Sequence, residues 1–221
     1  MRRQTLMTAA AFACMSLLAA CGQKTADQTN TTVATVENQT GQAVSATQDE
    51  AAKAVGVGSA TIGSVTKDAF VSDAAMSDMY EIEAAKLALA HSKNMDVRDF
   101  ARMMIKAHTA STAKLKALIA SGKVQATPPT KLDDRRMGLL DNLRAAADAD
   151  FDARYLDQQV AAHREAKLLM AGYKAVGSDP ALKAFAADVA PVVQMHLDKL
   201  DQIRADKKAA AEATSNTTGK P

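Results

Sequence analysis

The sequence predicts an all-α fold: a bundle of four long helices, with a short extra helix between the second and third. Three observations predict it. Residues 66–208 are dominated by Ala, Leu, Met, Lys, Asp and Arg, a strongly helix-forming set. Apolar residues there recur at three- and four-residue spacings, with no alternating strand pattern and no hairpin signal. Helix stops and caps then cut the stretch into pieces of bundle length.

The first long helix is expected over about 67–92, closed by His91-Ser92-Lys93-Asn94. Asp96 can cap the second, about 96–121, which stops at Ser121-Gly122 with Pro128-Pro129 beyond. Thr130 can cap the short helix, about 131–147. The third, about 149–176, stops at Gly177. Asp179-Pro180 starts the fourth, about 180–207, with Asp as cap and Pro in the first position. Short links make each outer pair an antiparallel hairpin. The long link between the second and third helices favours a ferritin-like bundle over a simple up-down one.

The buried seams can be read from the spacing. On the fourth helix they are Leu182, Ala186, Val189, Val193, His196, Leu200 and Ile203. On the second they are Val97, Ala101, Met104, His108, Ser111, Leu115 and Leu118. On the third, Leu156, Val160, His163 and Met170 share a face. Pro191 lacks an N–H and crowds the carbonyl of Ala187, so a kink is expected there.

The ends differ from the middle. Arg2 and Arg3 precede an apolar stretch, Leu6 to Leu18, which is too short to span a bilayer. Leu18-Ala19-Ala20-Cys21 follows and resembles the bacterial lipobox. That resemblance implies a signal peptide over residues 1–20 and lipidation of Cys21, which becomes the first mature residue and the membrane attachment. Gly22 carries no inner-membrane retention signal of the enterobacterial kind. The expected location is therefore the cell envelope, facing the periplasm from the outer membrane. Residues 21–65 are rich in Ala, Thr, Gln, Ser and Gly and read as a flexible tether, with a transient helix near Asp49–Val55. Residues 209–221 read as a disordered tail. Cys14 and Cys21 are the only cysteines, so neither a disulfide nor a thiolate metal site is expected in the mature chain.

Composition excludes some functions. The chain has 27 basic and 25 acidic residues, a net charge of +2, and loses Arg2 and Arg3 with the signal peptide. With aromatics at 4% and no Trp, nothing points to a nucleic-acid partner. There is no phosphate-binding Gly loop, nucleophile elbow or Cys motif. The methionines, such as Met76, Met79, Met103, Met104, Met170 and Met195, read as adaptable core filling and not as copper ligands.

The histidines are the informative residues. His91 ends the first helix and reads as a C-terminal cation. His108, His163 and His196 fall on seams, each near the middle of its helix. At a rise of about 1.5 Å per residue, helices side by side bring them to one layer. The first helix adds Glu81, at the edge of an apolar line through Ala75, Met79, Ile82 and Leu89. Glu83 lies further round and reads as solvated. Glu81, His108, His163 and His196 could hold one zinc, iron, manganese or copper ion, with Asp152 and Tyr155 as outer partners. The same residues could instead form a buried polar layer that satisfies its own hydrogen bonds and fixes helix register. A di-iron centre needs Glu three residues before His on two helices. Those positions are Ile105, Val160 and Val193, so ferroxidase chemistry is not inherited from the fold.

Phe70, Ala74, Glu81-Ile82-Glu83 and Leu87-Ala88, then Phe100-Ala101-Arg102-Met103 and His108-Thr109, form one ordered set of motifs. Phe151-Asp152-Ala153-Arg154-Tyr155-Leu156 with His163 is a second, and Leu182-Lys183-Ala184-Phe185, Pro191 and His196-Leu197 a third. Together they resemble the domain-of-unknown-function 4142 family of bacterial envelope proteins and lipoproteins. The resemblance implies a ferritin-like bundle and marks Glu81, His108, Tyr155, His163 and His196 as motif positions. It supplies no activity. The family usually carries Asp just before the second-helix histidine, where this chain has Ala107. The expected function is a structural or stress-related binding module, not an enzyme, with no protein partner identified. A metal-dependent redox or hydrolytic enzyme using the same layer, and partner recognition through an exposed bundle face, are the alternatives.

Overall fold

The computed structural model describes residues 43–56 and 66–218. Cys21, the signal-peptide expectation and most of the expected tether lie outside these residues. The described elements are α1 (43–56), α2 (Lys67–His91), α3 (Met95–Ala120), α4 (Asp134–Arg144), α5 (Asp148–Val176) and α6 (Pro180–Thr218), with no strand among the described residues.

Local chemistry sets the boundaries. Asn94, not Asp96, caps α3, accepting from the Val97 N–H at 3.1 Å. Asp133, not Thr130, caps α4, accepting from the Arg136 N–H at 2.7 Å. Each shift moves the cap to the polar side chain placed three residues before an open N–H. Gly122 takes φ +71° beyond α3, a conformation that glycine adopts without strain. Asp179 Oδ1 accepts from the Ala181 and Leu182 N–H groups at 2.9 and 3.1 Å, with Pro180 behind it as expected. α6 continues through Pro191. It also runs past residue 207 to Thr218, because the Ala- and Lys-rich run from 205 to 213 favours helix and contains no stop. Just before that extension, Lys207 pairs with Asp152 of α5 at 3.1 Å.

The core has two apolar ends. One contains Ala84, Ala88, Phe100, Met104, Tyr155, Val160, Leu200 and Ile203. The other contains Phe70, Ala74, Leu115, Leu169, Tyr173, Leu182 and Phe185. α2 and α6 thus run from the second cluster towards the first, and α3 and α5 run the opposite way. The link from α3 to α5 therefore crosses the length of the bundle, and α4 packs against α2 and α5. One long crossover distinguishes this connectivity from an up-down-up-down bundle. Between the two apolar ends, at mid-length on all four long helices, lie Asp78, Glu81, His108, His163 and His196, all buried.

The seams read on α3, α5 and α6 are the observed inward faces, with Val189, Ser111 and Leu118 half-buried. On α2 the inward face is rotated from the expected one. Ala75, Met79, Ile82 and Leu89 are only half-buried, whereas Asp78, Tyr80, Glu81, Ala84, Ala85 and Ala88 are buried. Glu81 is therefore central, not at an edge. A face built of alanines around two carboxylates carries little hydrophobic signal, so periodicity selected the flanking larger side chains.

α1 departs from the tether expectation. It is docked by polar contacts: buried Asp49 accepts from Asn142 Nδ2 at 2.8 Å and from Gln158 Nε2 at 2.9 Å. Gln158 in turn accepts from the Tyr80 hydroxyl at 2.9 Å, so one buried network joins α1, α2, α4 and α5. Asp49→Ala takes one acceptor from the buried Gln158 amide and one from the half-buried Asn142 amide, at a cost of about 1–3 kcal/mol. The expected result is faster amide exchange confined to 43–56 and its contacts; unchanged exchange there would show that α1 is held by something else.

Candidate metal centre

The polar layer is built around three imidazoles. His163 Nδ1 lies 2.9 Å from the Gln159 carbonyl, which can only accept, so Nδ1 carries the proton and Nε2 a lone pair. That Nε2 lies 3.1 Å from His196 Nδ1, which must donate to it, leaving the His196 Nε2 lone pair without a partner among the described residues. His108 Nδ1 donates to Asp78 Oδ1 at 2.8 Å, and its Nε2 also has no partner among the described residues. Thr112 donates to the other Asp78 oxygen at 3.0 Å, fixing the carboxylate. Phe100 lies against His163 and His196, with ring centroids 6.2 and 6.4 Å away, and closes the layer on its apolar side.

One nitrogen from each of the three histidines lies within 4.8 Å of the other two. A zinc-type ion with bonds near 2.1 Å needs nitrogens roughly 3.4 Å apart, within reach of small side-chain rotations. His108 and His163 each use the remaining ring nitrogen on a fixed acceptor. This is the support that sets the tautomer and aim of metal-binding histidines.

Glu81 is not in that converging set. Its Oε1 lies 3.6 Å from His163 Nδ1, on the far side of the ring from Nε2, and neither oxygen is in hydrogen-bonding geometry with a partner among the described residues. Tyr155 is fully buried, its hydroxyl also without a partner among them, and the charge of Glu81 adds to burial in raising its pKa well above the ordinary value. Asp152 is not near the layer; it is half-buried and paired with Lys207. His91 is exposed and stacks on Phe151 at 5.1 Å, and Glu83 pairs with Lys86 at the surface.

The family model described as a domain of unknown function, DUF4142, matches residues 52–203. The chain belongs to this family. No curated protein and no solved structure matches it. Within this DUF4142 domain, the carboxylate beside the α3 histidine comes from Asp78 on α2, and the position before that histidine, Ala107, has none. Asp78, Gln159 and Thr112 were the residues sequence reasoning missed. The signal was present for Asp78, which stands three residues before Glu81 and so on the same helix face. Gln159 acts through its backbone carbonyl, four residues before His163, and its residue type gives no sign of this.

The electrostatics suit a cation. Burial lowers the pKa of His163 well below the ordinary histidine value, and the charges of His108 and His196 add to this. Burial and His108 lower His196 to about 4. Both rings are therefore neutral near pH 7, the form that binds metal. For His108, burial acts downward but is outweighed by Asp78 and Glu81, and the net shift is upward. Burial raises Glu81 to about 7; the His108 charge and the nearby Gln159 amide oppose it without reversing it. Asp78 and Glu81 together would balance a buried dication, and a dication would favour the ionised form of Glu81.

Two results are expected here. Asp78→Asn keeps the shape but removes the charge behind His108, and metal affinity should fall about 10–100-fold; unaltered affinity would remove Asp78 from the site. Glu81 has a folded pKa raised above its unfolded value, so its contribution to stability is full at low pH and is lost as pH rises through about 7. In the metal-free protein, Glu81→Gln should therefore gain stability relative to the parent between pH 5 and pH 8, by roughly 2–3 kcal/mol. Parallel pH profiles of parent and variant would contradict this.

Proposed function

We propose that this protein is an envelope lipoprotein whose DUF4142 bundle binds one divalent transition-metal ion through His108, His163 and His196. The observation that carries the reading is the set of three buried histidines with one nitrogen each within 4.8 Å, two of them with an Nε2 that has no partner among the described residues. A self-satisfied polar layer would pair both nitrogens, since burying an unpaired polar atom costs about 1–3 kcal/mol. Imidazole donors suit zinc, iron, manganese or copper, and the absence of thiolates argues against a purely soft-metal site. The lipobox-like Leu18-Ala19-Ala20-Cys21 supports attachment through Cys21 to the outer membrane, with the bundle in the periplasm. No helix among the described residues is long and apolar enough to cross a membrane, consistent with attachment by lipid.

The test is metal analysis of the full chain, purified in detergent without a histidine tag, beside a His108→Ala/His163→Ala variant. About one ion per chain in the parent, or taken up on titration, and none in the variant is the expected result. A parent that takes up no zinc, iron, manganese or copper would overturn the reading. Radiolabelled palmitate should label the parent and not Cys21→Ala; equal labelling of both would overturn the anchor.

A further inference from the structure

A pocket of about 250 Å³ opens between α3 and α6, and His108 and His196 form part of its wall. His163 does not line it, and Glu81, Gln159 and Tyr155 belong to α2 and α5, away from this opening. The two histidines that reach the pocket are those whose Nε2 atoms lack a partner among the described residues. The rest of the wall is small side chains: Ser111 and the apolar Ala107, Ala110, Val189, Val192 and Val193. At the outer lip Lys114 and Asp188, both exposed, form an ion pair across the two helices, so neither presents an uncompensated charge to the pocket.

We infer that the centre keeps one coordination position open towards this pocket, and that the position takes a small uncharged nitrogen or oxygen donor. The inference rests on the metal reading above and goes beyond it by naming the ligand class and the route. Three protein donors leave a tetrahedral ion one position short, the arrangement of open rather than closed sites. The pocket supplies the direction, because it reaches two of the three ligand rings from the solvent side. The ligand is small because the space equals that of roughly eight waters at about 30 Å³ each. It is uncharged because the one cation of the lining, Lys114, is already paired with Asp188, and the rest of the wall offers a buried anion no compensating charge.

Cobalt(II) is the probe metal, and imidazole at pH 8 and azide are the probe ligands. The full chain in detergent is loaded with cobalt and its visible absorption is followed as each ligand is added. The expected result is a saturable spectral change with imidazole, at least tenfold weaker binding of azide, and cobalt retained throughout. Ser111→Leu narrows the pocket from α3 with a good helix former and replaces none of the three histidines. It should weaken imidazole binding at least tenfold and leave cobalt affinity unchanged. Cobalt bound with no response to imidazole would overturn the open position while leaving the metal reading intact. Azide binding as well as imidazole would overturn the ligand class. An imidazole response indifferent to Ser111→Leu would overturn the route. Failure of the parent to bind cobalt, zinc or iron would overturn the metal reading and this inference together.

Discussion

His163→Ala should abolish the stabilisation that metal confers on this protein. His163 uses both ring nitrogens: one is fixed on the Gln159 carbonyl, and the other is presented to His196 and the centre. Structural zinc sites are worth about 10–16 kcal/mol over four ligands, so one ligand carries roughly 3–4 kcal/mol. Affinity should then fall about 100- to 1000-fold. Parent protein in metal at a hundred times its dissociation constant gains about 2.7 kcal/mol of stability. The variant at the same metal concentration should gain almost nothing. The substitution also leaves a cavity, but each protein is compared with itself, with and without metal, so that cost cancels. An equal gain in both proteins would place the metal elsewhere.

Glu165→Ala should be the most destabilising single change outside the layer. Glu165 Oε1 accepts from Arg135 at 2.8 Å and from Arg136 at 2.7 Å, with the carboxylate side chain 14% and the Arg136 side chain 6% exposed. Removing the carboxylate strands two guanidinium groups against the α2–α4–α5 junction. Breaking a buried pair from one side costs about 3–5 kcal/mol. For a domain of this size, that lowers the melting temperature by roughly 10 °C. Arg136 keeps Asp133 as a partner, which places the expected value at the low end of the range. A melting temperature within 2 °C of the parent would show that water reaches the cluster and screens it. α1 provides a further readout, because Arg135 also donates to the Ala52 carbonyl at 3.2 Å. Glu165→Ala should therefore loosen 43–56 as well.

The four long helices and the three central histidines were legible because they are written in strong signals. Leucine, valine and methionine mark the seams of α3, α5 and α6, and histidine stands out when it falls on such a seam. α2 was less legible. Its inward face holds alanines, Tyr80, Asp78 and Glu81, so the hydrophobic pattern pointed to the half-buried side and passed over Asp78 altogether. α1 was legible only as a weak helix tendency. What docks it is one buried aspartate meeting amides from α4 and α5, contacts far apart in sequence that no local pattern encodes. Asp152 failed for the complementary reason. It shares a helix with His163, but its charge partner is Lys207, at the far end of the expected fourth helix and away from the layer. Caps at Asn94 and Asp133 were missed by only a few residues, since several polar residues near each start could have served.

X-ray absorption of the zinc-loaded full chain tests the central claim most directly. The account predicts a low-coordinate ion with three imidazole nitrogens at about 2.0–2.1 Å and one further nitrogen or oxygen donor, with the imidazole signature lost in His163→Ala. A spectrum of oxygen donors alone, unchanged in that variant, would show that zinc sits on surface carboxylates and that His108, His163 and His196 serve only to pack the bundle.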